Sequence, residues 1–155
     1  DFRICHYAVQ PAGLLLIVEA EDRAALSRGM QGVNVRLAKS LNRLWERNGS
    51  VFADRYQTEI LKSSQVVRDT LCYVLNNARL HDNIPRDETD PFSSAPYFDG
   101  WKNEPRRLDP AEGVAPVARP RSALLKSAWR KHGLIDVNEM PRQEQTGRRG
   151  GPASF

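Results

Sequence analysis

Cysteine is scarce in this chain. Cys5 and Cys72 are the only two, and neither belongs to a Cys-x-x-Cys pair, so the spacing argues against a disulfide framework and against a structural zinc site. A reduced, cytoplasmic setting is the expectation. Long apolar runs are missing as well. The longest, Leu14 to Val18, falls far short of the roughly 20 residues a membrane-spanning helix needs, and it lacks the flanks of a signal peptide. No membrane partner is therefore expected. There is no internal repeat. No methionine precedes Asp1, and strand patterning begins at once, so a segment ahead of Asp1 is expected to have been lost, cleaved or omitted. Acidic residues are outnumbered, 19 against 23 Lys and Arg, which leaves a net charge of +4 and a sequence pI of about 9.3. Such a balance suits a polyanionic partner without requiring one. A length of 155 residues suits one domain with a tail.

What is present reads as alternating short elements. Asp1 to Val9 has strand character, with Phe2, Ile4, His6 and Ala8 on one face and Arg3, Cys5, Tyr7 and Val9 on the other. Gln10 to Gly13 supplies turn residues, and Leu14 to Ala20 reads as a second strand whose continuous apolar character implies burial on both faces. The two are expected to pair as an antiparallel hairpin. Asp22 to Asn48 is the longest helix candidate, with Asp22 as N-cap. Its apolar face is Leu26, Met30, Val33, Leu37, Leu41 and Leu44. Gly29 and Gly32 weaken that helix near its start and suggest a bend or a close backbone approach. Asn48-Gly49 stops it. Val51 to Leu61 alternates like a third strand, with Tyr56, Thr58 and Ile60 on one side. The order strand, strand, helix, strand, helix becomes a split β-α-β sandwich of the ferredoxin type if one strand and one helix precede it. The fold expectation is thus α+β, a ferredoxin-like antiparallel sheet with helices on one face and its N-terminal strand and helix apparently missing. Pro91 to Trp101 is dense in aromatics and is expected to pack back on the domain. Glu104 to Pro120 reads as linker, Arg121 to His132 as a short basic helix, and Gly147 to Phe155 as disordered.

Two constellations carry possible chemistry. In Ser64 to Leu80, Val67, Leu71, Val74 and Ala78 recur at the spacing of one buried helix face, with Ser63 or Ser64 as cap. Asp69, Tyr73 and Asn77, each four residues from the next, form a polar row off that face. Tyr73 is either a half-buried tyrosine with its hydroxyl hydrogen-bonded or a nucleophile beside an oxygen ligand for a metal. In the long helix, Arg36, Lys39, Arg43 and Arg47 are spaced 3, 4 and 4, with Arg28 one side of them and Arg55 beginning the next strand. This stripe is either a solvated face or a row of phosphate contacts.

Several segments together resemble the single-tyrosine HUH transposases of the REP-associated and insertion-sequence group. They are FRICHYAVQ from Phe2, the block from Leu14 to Trp45, VFADRY from Val51, YVLNNAR from Tyr73 and DPFSSAPYFDGW from Asp90. The resemblance spans Phe2 to Trp101 and implies a ferredoxin-like domain. The expected organisation is that domain at 1–82, an aromatic segment at 83–104 packed on it, and a basic, largely disordered tail at 105–155. It implies that Tyr73 attacks a DNA phosphodiester and becomes joined to the 5′ phosphate. A divalent metal, Mg²⁺ or Mn²⁺, assists in that family, held by a His-hydrophobic-His pair on the central strand, and Asn77 matches the position of a third, side-chain oxygen ligand. The partner implied is DNA, single-stranded or hairpin.

The chain departs from the family where the metal should sit. Ala12-Gly13-Leu14-Leu15 stands in place of Asn-His-hydrophobic-His, so Gly13 and Leu15 occupy the two histidine positions and neither can ligate a metal. Ala78 replaces a proline common in relatives. His6 with Asn77 is a poor set for a cation that favours several oxygens, and His81 lies eight residues beyond Tyr73. No tight metal site is therefore expected. Losing even about 4 kcal/mol of Lewis-acid assistance slows cleavage roughly a thousandfold. Three readings stand: an active transposase-family enzyme, a DNA-hairpin-binding module without the chemistry, and a decayed remnant.

Overall fold

A computed structural model of the chain describes residues 1–11, 13–52, 55–81, 84–106 and 115–142. Among them the protein is α+β. A two-stranded antiparallel sheet of β1 (Phe2–Gln10) and β2 (Gly13–Ala20) is followed by α1 (Arg23–Leu44), α2 (Ser64–Leu75) and the short α3 (Ala123–Lys126). Single 3₁₀ turns occupy Asn77–His81, Ala95–Tyr97 and Ala128–His132. Among the described residues no helix is long and apolar enough to cross a membrane.

The hairpin forms with Gln10 opposite Gly13, and its register slips between Ile4 and His6. Ile4 pairs with Val18 and His6 with Ile17, so Cys5 is an extra residue in β1. β2 runs uninterrupted, so Ala20, Val18 and Leu16 face one way and Ile17, Leu15 and Gly13 the other. The pairs Phe2↔Ala20 and His6↔Ile17 therefore place Phe2 and His6 on opposite faces. This corrects the expectation that Phe2, Ile4, His6 and Ala8 share a face. A period of two holds only while no residue is inserted.

Each face then meets a different helix. Ala8 and Ile17 join Val67, Leu71, Cys72 and Leu75 of α2 in the main core. On the other side the Phe2 ring lies against Gly29 of α1, where a Cβ would fall 2.1 Å from the ring. Gly29 thus marks a close approach, whereas space beside Gly32 is open. The expected placement of helices on one face is corrected accordingly: the bulge at Cys5 turns Phe2 toward α1.

Two strands are also narrower than the expected sheet. Residues 55–61 form no strand, and 55–60 are exposed, Ile60 at 76%. The outer edge of β1 is already occupied. Val9 N donates to Phe92 O, Ser94 N to Tyr7 O, and Ala118 N to Ile4 O, at 2.8–2.9 Å. The outer edge of β2 pairs with no other strand among the described residues. Strand patterning without an adjacent ladder does not make a strand. In consequence β2 is not buried on both faces. Leu14, Leu15, Leu16 and Val18 are half-buried, and only Gly13 and Ile17 are buried. α1 is affected in the same way. Of its expected apolar face only Met30 is buried, and Leu44 is 73% exposed.

The core is completed from the far end of the sequence. Phe98 stacks on Trp129 with centroids 5.6 Å apart and meets Trp101 and His6 edge-on at 5.2 and 5.6 Å. A Cβ at Gly100 would fall 2.4 Å from the Trp129 ring, so only glycine admits that ring. Leu125, Trp129, Ile135 and Val137 are all buried. Residues 115–142, expected as linker, basic helix and tail, are thus part of the folded body, because Leu125, Trp129 and Ile135, with Ala95 and Phe98, cover apolar surface that the two-stranded sheet and α2 leave. The expected helix 121–132 breaks at Ser127, where φ is −150°. The expected disorder at 147–155 lies outside the described residues. Trp129→Ala is expected to lower stability by about 3–5 kcal/mol, with loss of near-ultraviolet ellipticity. A urea unfolding midpoint equal to that of the parent chain would show that the segment is not part of the core.

Candidate functional site

The tyrosine helix is built as its caps and apolar spacing dictate. Ser63 is the N-cap, its Oγ accepting from Val66 N at 3.2 Å, and Val67, Leu71 and Val74 are buried. Tyr73 points outward. It is 36% exposed, and its hydroxyl has no hydrogen-bond partner among the described residues. This is not the half-buried, hydrogen-bonded tyrosine of the plainer reading. The expected polar row is only partly formed. Gln65 Nε2 donates to both carboxylate oxygens of Asp69 at 3.0 Å, and Tyr73 follows one turn on. The helix then ends at Leu75 rather than Leu80. Asn76 caps it, and Asn77 opens a 3₁₀ turn with 4% of its surface exposed.

The reason for that stop is tertiary. The Asn76 side-chain amide donates to Asp136 O at 3.0 Å and Glu139 O at 2.9 Å. Buried Arg79 donates to Val137 O and Glu88 O. Arg68 grips Glu139 through two bonds of 2.5 and 2.7 Å. Hydrogen bonds from Arg68 hold the Glu139 carboxyl below the usual carboxylate range despite its partial burial. Burial, then the charge of Glu139, pushes the Cys72 thiol up to about 12, so it is an inert core group. Asn76, Arg79 and Arg68 received no role from sequence, since no local pattern announces bonds to residues sixty positions away.

The positions expected to hold a metal do not suit one. Gly13 and Leu15 lie on the core-facing side of β2, opposite Gln10 and Ala8, and Leu15 packs against the core. Neither offers a donor atom. His6, on the same face, has Nδ1 3.3 Å from Ser94 Oγ and its ring edge-on to Phe98. Burial lowers its pKa to about 4, so it is neutral near pH 7. His81 is exposed at the end of the 3₁₀ turn. Among the described residues no three His, Cys, Asp or Glu side chains are grouped to hold a metal ion.

The basic stripe is assembled more fully. Asp22 Oδ1 accepts from Ala25 N at 2.6 Å and starts α1. Along the helix Arg28, Arg36, Lys39 and Arg43 are exposed, and none makes a hydrogen bond or ion pair among the described residues. They line two adjoining depressions that share Lys39. One is bordered by Arg28, Gln31, Val35 and Arg36, the other by Asn42, Arg43, Glu46 and Arg47. Arg47 lies past the helix end, which corrects the expected 3-4-4 stripe. The chain turns at Glu46 (φ 50°), and Arg47 folds back, donating to Asn42 Oδ1 at 3.3 Å and Ser50 O at 3.1 Å. Arg55 is exposed and lines neither depression. Four cations are paired: Arg3 and Arg121 with Asp1, Arg68 with Glu139, Arg130 with Asp99. The α1 cations, like Arg55, Lys62, Lys102, Lys126 and Lys131, have no carboxylate partner among the described residues; what sets them apart is their place in one row on one helix. No protein-family model, no curated protein and no solved structure matches the chain.

The buried imidazole gives a measurable signature. Above the ordinary histidine pKa of 6.5 neither the folded nor the unfolded state holds the proton. As pH falls from 6.5 to about 4 only the unfolded state gains it, so stability falls across that window. The loss is on the order of 3 kcal/mol at 1.36 kcal/mol per pKa unit. His6→Gln is expected to flatten the urea-unfolding free energy between those pH values, and an unchanged slope would contradict the assignment.

Proposed function

We propose that this chain is a DNA-binding protein of transposase type that keeps the DNA surface of such proteins and lacks efficient strand cleavage. The observation that carries the reading is the row of exposed cations on α1, Arg28, Arg36, Lys39 and Arg43, with no carboxylate partner among the described residues. Unpaired cations along one helix suit a phosphate backbone, and backbone contacts need neither metal nor histidine pair. In this reading the hairpin, α1 and α2 derive from a ferredoxin-like sandwich; their order in the chain supports this, although no third strand forms among the described residues. The partner is single-stranded or hairpin DNA in the cytoplasm. Gly13 and Leu15 supply no ligand atoms, and Asn77 is buried at the helix end, so tight Mg²⁺ or Mn²⁺ binding beside Tyr73 is not part of the function.

Arg36→Ala, Lys39→Ala and Arg43→Ala combined are expected to weaken binding to hairpin DNA similarly for all sequences. The log–log dependence of affinity on salt should flatten by about 2, at roughly 0.7 per single-strand contact. Fluorescence anisotropy over a salt series measures both. A triple variant that binds like the parent chain places the DNA surface elsewhere.

One observation favours a second reading, an enzyme that cleaves and rejoins single-stranded DNA: Tyr73 is exposed with its hydroxyl free among the described residues. The Tyr73 oxygen would attack phosphorus, and the bond to the 3′ oxygen would break. The leaving 3′ hydroxyl would take up a proton, and the 5′ phosphate would remain on tyrosine. The first reading expects no denaturant-stable protein–DNA adduct after incubation of hairpin DNA with Mn²⁺. An adduct that vanishes in Tyr73→Phe establishes the second.

A further inference from the structure

We infer that Trp45 is a base-stacking residue that makes the α1 surface favour unpaired nucleotides over duplex. The inference rests on α1 being the DNA surface. Trp45 is the C-cap of α1 and is 50% exposed, whereas Trp129 is 1% exposed and Trp101 is half-buried. An indole held half-exposed at a surface costs apolar exposure, and here Arg47 is the side chain over its ring.

Its place on the helix joins it to the cations. Residues three and four apart are surface neighbours on a helix. Lys39, Asn42 and Trp45 are each three apart, and Lys39 and Arg43 are four apart. Arg43 and Trp45, two apart, lie on different sides of the helix end. Arg47 links the indole to the Lys39 side through Asn42. Its guanidinium bonds Asn42 Oδ1 and Ser50 O and sits 5.3 Å from the Trp45 ring centroid. Asn42 Nδ2 in turn donates to Gly49 O at 2.8 Å, so the turn after the helix is held by its own side chains. The ring therefore stands beside Arg47, which lines one depression with Lys39 and Arg43.

That combination is what single strands need. Cations track the phosphates while an aromatic face stacks on a base, and any base serves because each has a π-face. In a duplex the bases are already stacked, and the ring gains no such partner. Arg47 over the indole adds a cation–π contact that helps hold the ring in place.

The test uses the full chain with three probes: an oligothymidine strand, an abasic phosphodiester strand of the same length and a blunt duplex. Trp45→Leu is expected to lower affinity for oligothymidine between roughly fivefold and a hundredfold, leaving the abasic strand, the duplex and the salt slope unchanged. Trp45→Phe should retain most of the affinity, which guards against a folding defect in the leucine variant. Intrinsic tryptophan emission of the parent chain should be quenched by oligothymidine and not by the abasic strand, and Trp45→Phe should abolish the quench. If Trp45→Leu binds oligothymidine like the parent, or weakens all three probes equally, stacking is overturned. The α1 reading then stands or falls separately. If the Arg36, Lys39, Arg43 triple variant binds every probe like the parent, the α1 surface fails and the stacking proposal fails with it.

Discussion

The extra residue at Cys5 decides how everything else packs. A hairpin with perfect alternation would aim Phe2, Ile4, His6 and Ala8 at one helix layer. The register shift between Ile4 and His6 sends Phe2 toward Gly29 of α1 and His6 and Ala8 toward α2 and the aromatic stack. Cys5 and His6 are consecutive and both buried, which an uninterrupted strand with one wet face does not permit. Burial pushes the Cys5 thiol up to about 12 and the His6 imidazole down to about 4, as neutral groups in a core require.

Around that sheet the polar groups divide into two kinds. Those that close the fold are paired. Arg68 with Glu139, Asn76 with the Asp136 and Glu139 carbonyls, and Arg79 with Val137 and Glu88 pin the segment after Gly133 to the end of α2. Partly buried cations left without such bonds would carry a desolvation cost. Those on α1 have no comparable partner among the described residues, and they stand on the exposed side of a helix whose last residues are exposed. A helix end that stabilises little can carry charge at little cost, because solvent screens like-charge repulsion there. The same end exposes Leu44 and Trp45.

Tyr73 and Asn77 show how an i, i+4 spacing can be correct on paper and fail in space. The spacing assumes helix through both residues. Helix ends at Leu75 because the Asn76 amide is more usefully bonded to the 136–139 backbone than carried on in another turn. Tyr73 keeps its exposed place on the helix, and Asn77 is turned into the fold.

What local chemistry governs was legible in the sequence. Turn residues at Gln10 to Gly13 gave the hairpin, Asp22 and Ser63 gave the helix starts, and three- and four-residue spacing gave Val67, Leu71 and Val74 as the buried face of α2. These follow from bonds and contacts within a few residues. The bulge at Cys5, the absence of a strand at 55–61, the incomplete burial of the α1 apolar face and the burial of Trp129 depend on what lies alongside. A strand needs a free ladder edge, an apolar helix face needs a surface wide enough to cover it, and an apolar tail residue is buried only where a gap remains. Periodicity records which residues could be buried, and the availability of partners, set by the narrow sheet and by segments far apart in the chain, decides which of them are.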